Sequence, residues 1–291
     1  VSPDDVMIVV IAGLLSTSCA LLGGFLVLRR QALLPDAVSH AVLPGIVLIF
    51  LLTGERASAA TVLGATAFGV ACVAGFEWLR RSGIVGSDAA LALVFPALFS
   101  LGILGITRFA SGAHIDLDSA IYGDLTFAPL RTMSLAGLDV PTSLVVTGCA
   151  TVATILFVVL LWRPLHASTF DPEFAELSGL RARAAGRMLL VVVAGLAVVA
   201  FDSVGAILVV TFFIVPAATA RLLTQRLGTM LVVAVAAGWV SSLAGERLAT
   251  AIDSSIPGTI GLASAGLFVL ALLLGRRGLA WRALRSRRPE S

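Results

Sequence analysis

Charge is what this sequence has least of. Only 13% of its 291 residues are Asp, Glu, Lys or Arg, about half the share usual in a soluble protein. Lysine is absent, so all 20 basic residues are arginines. Cysteine occurs three times, at Cys19, Cys72 and Cys149, each inside an apolar run and none in a CxxC pair. That placement argues against a disulfide framework and reads the three as small buried hydrophobes. There is no GxxxxGK[ST] run and no HExxH, so ATP and a catalytic zinc find no recognisable cradle. These shortages exclude a cytosolic enzyme, a nucleic-acid module and a disordered chain. A pI near 9.2 does not restore nucleic acid as a partner, because the net charge is only +3 and the bias is local.

Apolar residues make up 58% of the chain, with a mean hydropathy of +1.04. Runs close to the ~20 residues needed to cross a bilayer fall near 6–28, 34–53, 58–79, 89–107, 142–162, 187–201, 204–220, 229–249 and 259–275. The expected fold is an all-α polytopic membrane protein of eight or nine transmembrane helices. The count turns on 187–201 and 204–220, which only Asp202 and Ser203 separate. Asp4 and Asp5 precede the first run where a signal peptide would be basic, so that run is read as a span. Connections are short, which makes 1–275 one domain and leaves 276–291 as a basic tail.

The arginines orient the chain. Sixteen sit at alternate ends of the runs, among them Arg29, Arg30, Arg80, Arg81, Arg183 and Arg187, against Arg56, Arg108 and Arg247 opposite and Arg131 between. The positive-inside rule makes the sixteen cytoplasmic, so nine crossings put the N-terminus outside and the C-terminus inside a cell membrane. Trp78, Trp162 and Trp281 lie beside inner arginines, as interfacial aromatics do. The tail arginines are expected to meet anionic lipid headgroups.

Two stretches are not plain spans. Residues 108–141 read as an external loop with a short or re-entrant helix, and carry His114, Asp116, Asp118 and Asp124, which could receive metal or simply be solvated. Residues 163–186 are the longest inner connection. There Asp171 is a good N-cap, Pro172 fits the first helical position and Gly179 is a plausible stop, so a short helix on the inner face is expected.

Ionisable residues within a span call for a functional hypothesis, since burying them in hydrocarbon is costly. The run Pro35-Asp36-Ala37-Val38-Ser39-His40 places Asp36 and His40 four apart, on one helical face. Counted from Arg30 at ~1.5 Å per residue, His40 would lie ~15 Å in, about midway through a ~30 Å core. Such a pair can bind a divalent cation or relay a proton; its bland alternative is a helix-packing hydrogen bond. Elsewhere Glu77 is expected to pair with Arg80, His166 to be interfacial, Asp202 to cap the following helix, and Glu246 and Arg247 to flank an outer helix end. Pro216 suits a packing kink.

The run LRRQALLPDAVSHAVLPG (28–45) resembles the second-helix motif of ABC-importer permeases for manganese, zinc and iron. FDPEFAELSGL (170–180) is similar to that family's DPE-type segment, and VGAILVVTFFIVPAATARLL (204–223) to its Pro-containing late helix. With order and spacing matching over roughly 10–275, the resemblance implies a type II ABC-importer-like permease, homodimeric with a second copy or pseudo-dimeric, around a metal path. It implies a cytoplasmic ATP-binding subunit and an extracellular or periplasmic metal-binding protein as partners, with ATP held on the former. Asp36 and His40 then become ligands of the transported ion. Asp171, Pro172, Glu173, Ala175 and Gly179 become the coupling segment that docks on the ATPase. Pro35 stands where the family commonly has glycine. The form DAVSHAVLPG looks more like the manganese/iron branch, so Mn²⁺ is the expected cargo, with Zn²⁺ or Fe²⁺ as alternatives and no permanently bound cofactor. A proton-coupled secondary carrier would use the same pair without a docking helix, and a metalloenzyme or a non-transporting receptor subunit would account for less of the pattern.

Overall fold

The computed structural model describes residues 3–53, 59–109, 125, 128, 132–135, 138–179 and 181–275. Its apolar runs are helices for a simple reason. Backbone N–H and C=O groups have no water to bond in hydrocarbon and must be satisfied within their own segment. In chain order these are α1 (Pro3–Leu28), α2 (Leu34–Ala41), α3 (Leu43–Thr53), α4 (Ala59–Arg81), α5 (Ser87–Phe109), α6 (Thr142–Leu160), α7 (Trp162–Phe170), α8 (Pro172–Leu177), α9 (Ala182–Val204), α10 (Ala206–Leu223), α11 (Leu227–Ile252) and α12 (Ile256–Leu274). Among the described residues nine segments are long and apolar enough to cross a membrane, α2 and α3 together forming the second. The protein is therefore an all-α membrane protein, with nine candidate spans among the described residues.

The runs around Asp202 are two spans, but their junction is not where the aspartate suggested. Helix α9 continues through Asp202 to Val204, and the chain turns at Gly205 with φ +80° and ψ 166°. That backbone conformation suits glycine and is strained for any residue bearing a Cβ. The short or re-entrant helix expected in 108–141 falls mostly outside the described residues. The described end of that stretch is an antiparallel hairpin, β1 (Thr132–Leu135) with β2 (Leu138–Pro141), in which Thr132 faces Pro141 and Leu135 faces Leu138. His114, Asp116, Asp118, Asp124, Arg131 and the 276–291 tail lie outside the described residues.

Helix α1 is the hub, packed on α6, α10 and α11, with Ile11, Leu15, Leu22 and Phe25 fully buried. Short polar contacts fasten it. Ser18 donates to the Thr151 hydroxyl at 2.9 Å, Thr151 donates to the Leu14 carbonyl at 2.9 Å, and Trp239 Nε1 donates to Thr17 at 3.0 Å. Where lipid tails offer no hydrophobic contrast, such contacts and close packing do the associating. The same absence of contrast explains Cys149, which is exposed on α6, whereas Cys19 and Cys72 are buried as expected. A second group, α2 to α5, leans on this hub through α9 and α10.

Glu77 accepts from both Arg80 and Arg81, each at 2.7 Å. His166 lies between the rings of Trp162 and Phe170, at 6.1 and 4.9 Å. Glu246 departs from its expected rim position. It is only 3% exposed, accepts from Thr250 at 3.2 Å, and lies 3.5 Å from Arg247, because α11 runs on to Ile252.

Candidate metal site and docking helix

Helix α2 opens with Pro35 in its first turn, where a missing N–H costs nothing. It starts only at Leu34, because residues 29–33 turn rather than wind, with Arg30 at φ +58°. His40 is thus six residues along the helix, or about 9 Å. That is shallower than a count from Arg30 gives, and in the half of the span nearer the arginine-rich end.

Asp36 and His40 do share a face, with Oδ1 and Nε2 3.6 Å apart. That is beyond hydrogen-bond range, so the packing bond that would consume both groups is not made. Their side chains are 41% and 42% exposed. The His40 ring sits 6.1 Å from Phe95 and 5.9 Å from Phe99, both on α5. These neighbours could not have been read from sequence, since nothing in α5 marks which of its faces meets α2. Oxygen and imidazole nitrogen without sulfur suit a hard or borderline divalent ion. One chain offers only these two donors: among the described residues no cluster of three His, Cys, Asp or Glu side chains is present.

Just past the pair the helical ladder changes register. Pro44 has no N–H to give the His40 carbonyl, Val42 separates α2 from α3, and the Gly45 N–H bonds the Val42 carbonyl at 3.0 Å. The joint is tightly held. A Cβ on Gly45 would collide with the Gly64 carbonyl of α4, and one on Gly102 of α5 would come within 3.0 Å of Leu43 and Pro44. A one-helix reading of 34–53 misses this break, although Leu43-Pro44-Gly45 was the signal for it.

The docking segment folds as its residues imply. Asp171 is the N-cap of α8, its Oδ1 accepting from the Phe174 N–H at 2.9 Å, with Pro172 at the first turn. Gly179 ends it at φ +75°. Glu173 and Gly179 are exposed, and so are two large apolar side chains, Phe174 at 66% and Leu177 at 88%. Ala175 faces the other way and is fully buried, so it seats α8 on its own chain and presents no surface to a partner. Glu176 ties the helix to α9 through Arg183 at 2.7 Å. The preceding helix α7 was not foreseen, since Pro164 and the mixed polarity of 162–170 give it no clear period.

A model of the ABC 3 transport family matches residues 5–275. The chain belongs to that family. TroD of Treponema pallidum, a zinc transport system membrane protein, is 40% identical over 284 residues, covering 96% of this chain and 77% of its own. MntD of Bacillus subtilis, a manganese transport system membrane protein, is 34% identical over 261 residues, covering 89% and 88%. Among solved structures, PsaBC from Streptococcus pneumoniae in complex with Fab superposes with a TM-score of 0.76 at 25% identity, covering 97% of this chain and 94% of that one. The ABC 3 member described here is thus the multi-pass permease subunit of a metal ABC importer in the cell membrane. It is a transport subunit and not itself a catalyst, and its family implies ATPase and substrate-binding partners.

Proposed function

We propose that this permease imports Mn²⁺ along a path between two copies of the chain, each contributing Asp36 and His40. One observation carries this: two ionisable side chains inside a span, each about two-fifths exposed, 3.6 Å apart and unbonded to one another. Left against lipid such a pair would be costly. A second copy related by a twofold axis would cover it and supply four donors in place of two. Incomplete, sulfur-free coordination suits an ion that must leave as readily as it enters. The arginine-rich ends lie in the cytoplasm on this reading, by the positive-inside rule. Helix α8 then docks on the ATP-binding subunit through Glu173, Phe174 and Leu177, with Asp171, Pro172 and Gly179 shaping it and Ala175 seating it. An extracellular or periplasmic metal-binding protein delivers the ion.

Zinc is the second reading, favoured by the 40% identity to a protein named for zinc transport. Metal uptake in cells lacking their own importer tests both. Asp36→Ala and His40→Ala should each abolish Mn²⁺ uptake while the protein still inserts and pairs. Uptake near wild type in both variants would remove these residues from the path. Faster uptake of Zn²⁺ than Mn²⁺ through the unaltered complex would favour zinc.

A further inference from the structure

A cavity of about 410 Å³ opens at the arginine-rich end, and neither Asp36 nor His40 lines it. It lies where the ends of α1 and α4 meet α7 and the start of α9, and six arginines line it: Arg29, Arg30, Arg80, Arg81, Arg183 and Arg187. Glu77 is the one acid among the described residues of the lining, and Arg80 and Arg81 already occupy both of its oxygens. Arg183 is met from outside the lining by Glu176. Arg29, Arg30 and Arg187 have no carboxylate partner among the described residues.

Arg29 is the most telling of these. Its Nε donates to Thr169 at 3.1 Å and a terminal nitrogen to Ser168 at 2.7 Å, both neutral hydroxyls of α7. Burial first, and Arg80 second, push its guanidinium down to about 10, with Glu77 opposing. It therefore stays a cation at neutral pH, half-buried, and the acid near it, Glu77, is already bonded to Arg80 and Arg81. Gly186 makes the room for it, since a Cβ there would lie 3.1 Å from the guanidinium. Beside it Gln31 is 5% exposed, and its side-chain oxygen has no hydrogen-bond partner. An amide turned about its axis would offer donors there instead.

We infer that this cavity binds a phosphate-bearing anion, and that its occupant is the headgroup of an anionic phospholipid. Guanidinium groups match phosphate oxygens two at a time, which carboxylate-free arginines leave available. The volume exceeds what a bare ion needs and accommodates a headgroup. The site also lies at headgroup level: Trp78, 74% exposed, and Trp162 flank the same helix ends, and Leu28 and Leu190 provide apolar lining. Phosphate held by Arg29 would join α1 to α7, two residues before the N-cap of α8. The inference needs only the membrane placement, and it stands or falls independently of which metal is carried.

The full chain with its ATPase partner, in nanodiscs of equal phosphatidylcholine and phosphatidylglycerol, can be released into native mass spectrometry and its retained lipids counted. The wild type should keep phosphatidylglycerol over phosphatidylcholine. Arg187→Gln should reduce that retention by about tenfold, the loss of one charge-assisted contact, and Arg29→Gln/Arg187→Gln further. Arg187 is exposed and pairs with no acid among the described residues, so its variant keeps the fold even where Arg29→Gln does not. Equal retention of the two lipids by the wild type would overturn the inference, as would undiminished phosphatidylglycerol on Arg187→Gln. Inorganic phosphate presented in phosphatidylcholine-only discs separates the sources. No phosphate adduct is expected, and an adduct lost in the variant would reassign the cavity to a soluble anion.

Discussion

Removing the cap of α8 should weaken ATPase binding by an amount that can be worked out in advance. The helix has six residues, far below the ~12–15 at which an isolated helix becomes marginal. It exists because Asp171 satisfies the Phe174 N–H, Gly179 takes the left-handed turn and Ala175 is buried. Asp171→Ala forfeits the first of these, a cost of about 1 kcal/mol, or about fivefold in the ratio of formed to unformed helix. If only the formed helix docks, the apparent Kd for the ATP-binding subunit rises by up to that factor of about five, the full factor holding where the undocked segment is mostly unformed. Asp171→Asn keeps the acceptor and loses only a charge on an exposed residue, so it should bind within about twofold of wild type. Gly179→Ala should resemble Asp171→Ala. No atom stands within 4 Å of the added methyl, so the cost is the left-handed backbone alone, about 1 kcal/mol. Glu173→Arg, by contrast, leaves the helix formed and alters its exposed face, and should weaken binding through contact. Titration of detergent-solubilised permease variants against labelled ATPase, with circular dichroism as a folding control, reads all four. Asp171→Asn proving as damaging as Asp171→Ala would refute the cap argument and make the aspartate charge itself what the partner reads.

Three further outcomes are expected. Zn²⁺ should inhibit Mn²⁺ transport by the reconstituted complex, because a site of carboxylate and imidazole binds zinc more tightly by the intrinsic order of affinities; Mn²⁺ flux unaffected by excess Zn²⁺ would contradict the proposed ligand set. Gly45→Ala should force α3 and α4 apart, since the methyl meets the Gly64 carbonyl, and lower thermal stability in detergent by about 1–3 kcal/mol; an unchanged melting temperature would show the crossing to be loose. Pro44→Ala should restore the N–H that the His40 carbonyl lacks and so favour one continuous helix over 34–53, slowing metal uptake without loss of stability. Wild-type uptake in that variant would leave the break with no role in transport.

How much of this was legible in the residues depended on the range of the interaction. Composition and run length give the spans, because hydrocarbon leaves the backbone no alternative to helix. Side-chain chemistry within a few residues gives α8, since Asp171, Pro172 and Gly179 each act on their immediate neighbours. Reading fails where a residue's role is decided by something distant in sequence. Ala175 looks like part of the docking surface until packing turns it inward. Asp202 looks like a junction until Gly205, three residues on, takes the turn that only glycine holds without strain. Phe95 and Phe99 become neighbours of His40 only through the α2–α5 contact.

The second span combines both cases. The pair at Asp36 and His40 is local, a matter of four residues on one helix, and the structure keeps it on one face. The depth and setting of the pair are not local. They follow from the turn at Arg30, which starts α2 late, and from Leu43-Pro44-Gly45, which re-registers the ladder directly after the histidine. Pro44 leaves the His40 carbonyl without its helical donor, and Gly64 and Gly102 let two other helices close on the joint, so α4 and α5 pack directly against it. A ligand helix that ends at a packed joint is an arrangement in which the two halves of one span can serve different ends of a path. It ties the chemistry of Asp36 and His40 to the packing of three helices, none of which contributes a metal ligand.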